Sequence, residues 1–255
     1  MKTVEVDYDN FEDLRLALQG HDVLISALGK PGLVSQPKLI DAAVAAHVQR
    51  IIPSAFGGDL KNAKCRQFPT YRSKIEAEEQ LERHRAQSGT SYTYIFNSTL
   101  LDWGLTQGFL MSPQDRVMRI YDGGDTPFST TTMATVGRAV VAVLDHYEET
   151  ANRAIYIHDI AITQNELAAM ALEATKSFSG KEWLVKHENT AELEAEAKAE
   201  WKEGVFSSKV FYGFTVRAAF AEGYGGHFKA VDNELLGIPE MNMAQVRDVV
   251  VHALT

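Results

Sequence analysis

The sequence predicts an α/β fold organised around a parallel sheet, and three observations carry that prediction. Strand-like and helix-like segments alternate from the start of the chain to Asn97. The run Asp22-Val23-Leu24-Ile25-Ser26-Ala27-Leu28-Gly29 is continuously apolar and stops on small residues, as a strand buried in a parallel sheet does. Residues 51–104 read strand, loop, helix, strand, which is a right-handed βαβ crossover. Ligands of such sheets bind outside the carboxyl ends of the strands. Here those ends are Pro53 to Phe56 and Asn97.

Each element follows from local chemistry. Thr3 to Asp7 alternates and is expected as a strand. Asn10 can cap a helix with Asp13 at its third position, Phe11, Leu14, Ala17 and Leu18 inward, and Gly20 as its stop. Ser35 and Pro37 open a second helix running to about Val48, with Leu39, Ile40, Ala43, Val44 and His47 inward. A short strand from Arg50 breaks at Gly57-Gly58, and a loop rich in Lys, Asn and Arg follows to Tyr71. The segment from Tyr71 to Glu82 has helical composition, and Ser91 to Asn97 is rich in aromatic and β-branched residues. Thr99 to Met111 reads as an amphipathic helix. Val117 to Tyr121 reads as a strand ended by Asp122-Gly123-Gly124-Asp125. Thr135 to Tyr147 is helical and Ala154 to His158 a strand. Thr163 with Glu166 forms a capping box for a helix toward Lys176. Charged Ala191 to Lys202 and apolar Met243 to Leu254 are the last helices, either side of an aromatic, Gly-rich stretch from 205 to 229. Residues 1–110 are thus expected to form the parallel-sheet domain. Residues 111–255 are expected to form a smaller, mostly helical substrate-binding region, partly interleaved with it.

Composition narrows the function classes. The 255 residues can bury a sizeable core, and 45% hydrophobic with 23% charged residues is ordinary for a globular protein. A net charge of −9 argues against nucleic acid as the main partner. One cysteine, Cys65, excludes a disulfide framework and fits a reducing cytoplasm. No apolar run approaches a membrane span, and no leader pattern opens the chain. The eight histidines show no ligand spacing, so no metal site is expected.

Lys74 is the main chemical candidate. It starts the crossover helix near the carboxyl ends of the strands, where helix dipole and apolar surroundings would both disfavour an ammonium ion. Spacing alone reads more simply as a surface lysine opening a charged helix. Cys65, between Lys64 and Arg66, could carry a stabilised thiolate, although an isolated loop cysteine is more often incidental. His227 within Gly223-Tyr224-Gly225-Gly226-His227-Phe228 could face a substrate, but a turn covering the core is the simpler reading. Trp103 and Phe109 read as core before ligand stackers. Glu192 to Glu200 reads as a solvated helix face.

Three stretches carry a family resemblance: Val4 to Asp9, Asp22 to Gly29, and Arg50-Ile51-Ile52-Pro53-Ser54-Ala55-Phe56-Gly57. With Ser91 to Asn97 and Leu235-Leu236-Gly237-Ile238-Pro239-Glu240, they resemble the NmrA-like and isoflavone-reductase-like proteins, atypical short-chain dehydrogenases. The resemblance implies a Rossmann fold, NADP(H) as cofactor and reduction of a small aromatic or phenylpropanoid-like substrate. It leaves room for a homodimer. It implies that Lys74 is the catalytic lysine. It places cofactor contacts at Ser26, Leu28, Gly29, Pro53, Ser54, Phe56 and Asn97. Tyr71 precedes Lys74 by three residues rather than four, as in the reductase branch, while Glu78 stands where such reductases often carry Arg. The NmrA-type branch, which senses nucleotide without turnover, is the alternative; a functional lysine at Lys74 speaks for the reductase.

Such proteins begin with a strand, a Gly-x-x-Gly-x-x-Gly turn, a helix and a second strand, which hold the pyrophosphate. No equivalent run occurs in this sequence; Gly29-Lys30-Pro31-Gly32 and Gly57-Gly58 are too short. The Asp22 to Leu28 strand is therefore expected to leave an unpaired apolar edge, and NADPH affinity is expected to be poor. A truncated copy of a reductase is the favoured explanation, with a nonfunctional fragment as its extreme. The other is a diverged chain that pairs the Thr3 to Val6 strand with the Val23 strand.

Overall fold

A computed structural model describes residues 2–29, 31–176 and 182–254; Lys30 of the Gly29 to Gly32 turn lies outside them. The chain divides into two compact units. The first comprises Met1–Phe56, Tyr71–Ile95 and Val143–Ile155; the second comprises Gly57–Thr70, Phe96–Ala142 and Tyr156–Thr255.

The first unit opens with α1 (Phe11–Leu18), capped by the Asn10 side chain on the amides of Glu12 and Asp13. Then come β1 (Val23–Ile25), α2 (Gln36–Ala45) and β2 (Arg50–Ile52). After them come α3 (Arg72–Ser88) and β3 (Ser91–Phe96). Gly89, at φ 77°, ends α3 in the left-handed conformation that glycine adopts without strain. β1, β2 and β3 run parallel. Leu14, Leu39 and Ala42 form a small core with Leu24 and Leu28 packed on it.

Two expectations fail here. Residues 2–6 form no strand, so β1 has no neighbour there, and among the described residues its other edge is unpaired. With nothing to pair with, the alternating Thr3 to Asp7 run gains no ladder. For the same reason β1 is only half-buried, with Ile25 43% exposed, whereas β2 is buried throughout. An open cavity of about 210 Å³, lined by Val4, Leu14, Leu18, Leu24 and Leu28, lies beside it. His47 also departs from expectation. It is exposed beyond the end of α2, at φ 61°.

In the second unit, the expected helix from Thr99 is split. It becomes β4 (Thr99–Leu100), α4 (Leu101–Thr106) and β5 (Met111–Ser112). Then follow β6 (Val117–Tyr121), β7 (Phe128–Thr131) and α5 (Met133–Asp145), which runs on into the first unit. β8 (Arg153–Tyr156) lies next to β3 in the four-stranded sheet β1-β2-β3-β8. The chain continues through β9 (Ile160–Ile162), α6 (Gln164–Ala174), β10 (Leu184–Glu188) and α7 (Thr190–Lys202), and ends with α8 (Ser208–Phe220) and α9 (Met243–Leu254). The capping box on α6 forms as expected. Helices outweigh strands after residue 110, but the short strands make two further sheets, β10-β6-β5 and β4-β7-β9. The larger core lies here, around Leu105, Phe128, Leu167, Phe220 and Val246.

Candidate active site

At the carboxyl ends of β1 and β2 the backbone ladder stops, and side chains continue it. The last ladder bond runs from Ser26 N–H to the Ile52 carbonyl, 2.8 Å. Beyond it, Gln36 in the first turn of α2 reaches between the strands. Its Oε1 accepts from Ser26 Oγ at 2.9 Å and from Ser54 N–H at 2.6 Å. Ser54 Oγ donates to the Leu28 carbonyl at 2.6 Å. Ser26, Gln36 and Ser54 are all buried. Pro53 is buried and its carbonyl accepts from Ala55 N–H at 2.7 Å, turning the chain sharply away from the sheet. Ser26, Leu28 and Ser54 are therefore brought together. Gly29 is exposed at the outer end of the same loop.

Lys74 is the third residue of α3 and is half-buried. Its Nζ donates to the Phe56 carbonyl, directly after the β2 strand end. The Tyr71 side chain makes no cap bond, and no acidic residue occupies the first turn of α3. The first turn of α3 thus carries no carboxylate, and the Lys74 ammonium donates to a carbonyl dipole there. Glu78, one turn on, is buried, with its backbone carbonyl accepting from Tyr94 OH at 3.2 Å.

Asn97 belongs to the second unit and is fully buried. Its Oδ1 accepts from Gly57 N–H at 2.8 Å and its Nδ2 donates to the Ser98 carbonyl at 3.2 Å. Both ends of the amide are thus engaged by the backbone.

The glycines that follow β1 are not crowded by their surroundings. A Cβ on Gly29 would meet nothing within 4 Å, and one on Gly32 would meet only Leu28 at 3.5 Å. Among the described residues no Gly-rich turn leads from a strand into a helix N-terminus as a pyrophosphate cradle does.

Against this geometry the comparisons are direct. The NmrA-like family model matches residues 2–181. The chain belongs to the NmrA-like family. Oxidoreductase aprR of Aspergillus flavus is 31% identical over 240 residues, covering 90% of this chain and 77% of its own length. Oxidoreductase poxI of Penicillium oxalicum is 29% identical over 250 residues, covering 92% and 76%. Among solved structures, AtPrR2 with NADP+ and (+)-pinoresinol superposes with a TM-score of 0.74 at 19% identity, covering 97% of this chain and 81% of that one. Leucoanthocyanidin reductase from Vitis vinifera gives 0.73 at 20% identity, covering 96% and 84%. At such identities the structures establish the fold of this NmrA-like chain: α/β, with a Rossmann-type parallel sheet.

The remaining sequence candidates resolve differently. Cys65 is buried; its thiol donates to the Tyr224 carbonyl at 2.6 Å, and burial pushes it up to about 12. A stabilised thiolate is thus disfavoured, in line with the simpler reading of an incidental cysteine. His227 is exposed, and the loop around it is fixed by its neighbour Gly226, whose carbonyl accepts from Ser129 N–H and Ser98 Oγ. A Cβ at Gly226 would stand 2.0 Å from the Ala219 carbonyl oxygen, so only glycine fits this covering turn. Phe109 packs on Phe220, whereas Trp103 is 50% exposed rather than core. Among the described residues no group of His, Cys, Asp or Glu could hold a metal ion, and no helix is long and apolar enough to cross a membrane. Gln36 is the residue that sequence reading missed. Its only signal was a polar side chain opening an otherwise apolar helix face.

Proposed function

We propose that this chain is an NADPH-dependent reductase of small aromatic, phenylpropanoid-like compounds. The observation that carries the reading is Lys74, held in the first turn of α3 with its ammonium on the Phe56 carbonyl at the carboxyl end of β2. Family membership, the relatives named as oxidoreductases and the fold shared with AtPrR2 bound to NADP+ and (+)-pinoresinol and with leucoanthocyanidin reductase support it. The residues fit one end of the dinucleotide. Ser26, Leu28, Gly29, Pro53, Ser54 and Phe56 supply small polar and backbone groups where a nicotinamide ribose would lie in this fold class. When bound, the cofactor supplies the hydride. Lys74 Nζ then orients a ribose or substrate oxygen and gives or takes the proton there. Asn97 shapes the adjoining backbone at Gly57. The pyrophosphate meets no dedicated cradle among the described residues, so binding is weak.

The test is a calorimetric titration of NADPH and NADH after a thermal melt, followed by turnover assays on aromatic ethers and lactols. Cooperative melting, weak NADPH binding and reduction abolished by Lys74→Ala is the expected result. A low-micromolar dissociation constant would overturn the weak-binding part. Glu78, buried one turn after Lys74 where such reductases often carry Arg, favours a second reading, a nucleotide-responsive regulator without turnover. Binding without reduction across the panel, indifferent to Lys74→Ala, would select it.

A further inference from the structure

Gln36 stands out among the buried polar groups of the first unit. It is 1% exposed, on the helix face that also buries Leu39, Ile40 and Ala43. Burying a side-chain amide is unfavourable unless its hydrogen bonds are made. Here a single oxygen takes two, from Ser26 Oγ and Ser54 N–H, immediately after the last ladder bond between β1 and β2. Parallel strands splay where their ladder ends. At this sheet they are held one residue further, and the loops beyond them are Ser26 to Gly29 and Pro53 to Phe56.

We propose that Gln36 is a positioning residue for the dinucleotide: its Oε1 sets the spacing of the two strand-end loops that receive the cofactor. The inference rests on the reductase reading above and adds a residue that touches neither cofactor nor substrate. Ser54 completes the device, because its amide binds Gln36 while its hydroxyl holds the Leu28 carbonyl of the opposite loop. A second buried glutamine provides the contrast. Gln80 of α3 donates from Nε2 to the Pro37 carbonyl at 2.9 Å and to Asp41 Oδ1 at 2.6 Å. It joins two helices and makes no bond to a strand end. If Gln36 only glued the unit together, the two glutamines would be equivalent.

The experiment compares wild type, Gln36→Met, Ser26→Ala and Gln80→Met by fluorescence titration with NADPH carried to millimolar concentration. Amide hydrogen exchange is measured on the same free proteins. Gln36→Met should weaken NADPH binding about tenfold, a shift of about 1.4 kcal/mol. Ser26→Ala removes one donor, should fold normally and should weaken binding about threefold, or roughly 0.65 kcal/mol. Gln80→Met should lower the melting temperature yet leave affinity within about twofold, under roughly 0.4 kcal/mol. In the free protein the Ser54 amide should lose protection in Gln36→Met and keep it in Gln80→Met. Wild-type affinity in both Gln36→Met and Ser26→Ala would overturn the inference while leaving the reductase reading standing. An equal loss in Gln36→Met and Gln80→Met would reduce Gln36 to general stability and overturn it too. A folded wild type that binds no NADPH would overturn the reductase reading, and the inference with it.

Discussion

The two ends of β2 are built from similar polar parts and do different work. At the amino end, Arg50 is 1% exposed and all three nitrogens of its guanidinium donate hydrogen bonds. Nε donates to Ser91 Oγ at 2.6 Å, Nη1 to Thr93 Oγ1 at 3.0 Å, and Nη2 to the Tyr147 carbonyl at 2.7 Å, with the Tyr147 ring 3.9 Å from the guanidinium carbon. Burial lowers its proton affinity, opposed by the nearby Tyr147 and Glu148. At the carboxyl end, Gln36 and Ser54 hold backbone to backbone, and the charged group, Lys74, is half-buried with its Nζ donating to the Phe56 carbonyl. The contrast teaches how to separate structure from function among buried polar groups. A buried and enclosed charge stabilises the fold; a half-buried one at a strand end can share its protons.

The largest effect that could break this comparison is Arg50→Met. It should cost about 3–5 kcal/mol of unfolding free energy, because the Tyr147 carbonyl and the threonine hydroxyls lose their partner in the interior. Urea melts would measure it, and NADPH affinity of the folded fraction should change by less than about twofold, roughly 0.4 kcal/mol. A small stability loss with a large affinity loss would show that the amino end also serves the site. Lys74→Ala should do the opposite. Turnover should fall about 10²–10⁴-fold, the usual contribution of a positioned proton donor. Stability should move by less than about 1 kcal/mol, as for a half-exposed side chain. A Lys74→Ala protein that melts as early as Arg50→Met would make Lys74 a structural lysine.

Much of this division was legible in the sequence, for identifiable reasons. The Asn10 cap, the capping box at Thr163 and Glu166, and the parallel β2 and β3 are local signals, written in adjacent residues. The place of Lys74 at a helix start after a strand end is also a local signal. What was illegible depended on partners distant in sequence. Thr3 to Val6 alternates like a strand but finds no ladder. Thr99 and Leu100 sit in helical company yet pair with Thr130 and Thr131. Arg50 could be placed on a strand, but its bond to Tyr147, 97 residues away, could not be foreseen. Gln36 was read past because a single amide on an apolar face carries no period.

The second unit extends the amino-end logic to a titratable group. His158 is 6% exposed; its Nδ1 pairs with Ser129 Oγ at 2.9 Å and its Nε2 faces Glu240 at 3.5 Å. Asp159 and His227 also act on it. Burial holds its proton affinity below the ordinary value of 6.5, with Glu240 opposing. Since the unfolded chain takes up the proton first, stability should be complete above about pH 6.5 and decline as pH falls through the lowered value. Urea midpoints between pH 7.5 and 5 would follow it. His158→Gln should flatten that slope; an unchanged slope would assign it to other groups.

The smallest expected effect is an absence of reaction, at Cys65. Its neighbours in sequence suggested a thiolate held by two cations, but the fold turns both elsewhere. Lys64 Nζ lies 4.9 Å from the centre of the Tyr224 ring, and Arg66 Nη1 donates to the Leu60 carbonyl at 3.0 Å. The thiol donates instead to the Tyr224 carbonyl, and burial, with Asp59 nearby, pushes it up to about 12 from 9.0. Iodoacetamide at pH 8 should therefore leave the native protein unmodified and label it at once in urea. The same displacement predicts stability that is intact below about pH 9 and eroded as pH rises from there toward 12, because only the unfolded chain can release the proton early. Rapid labelling of native protein would mean that the Tyr224 turn opens readily. The rule drawn from β2, that full enclosure marks a structural group, would then not extend to this loop.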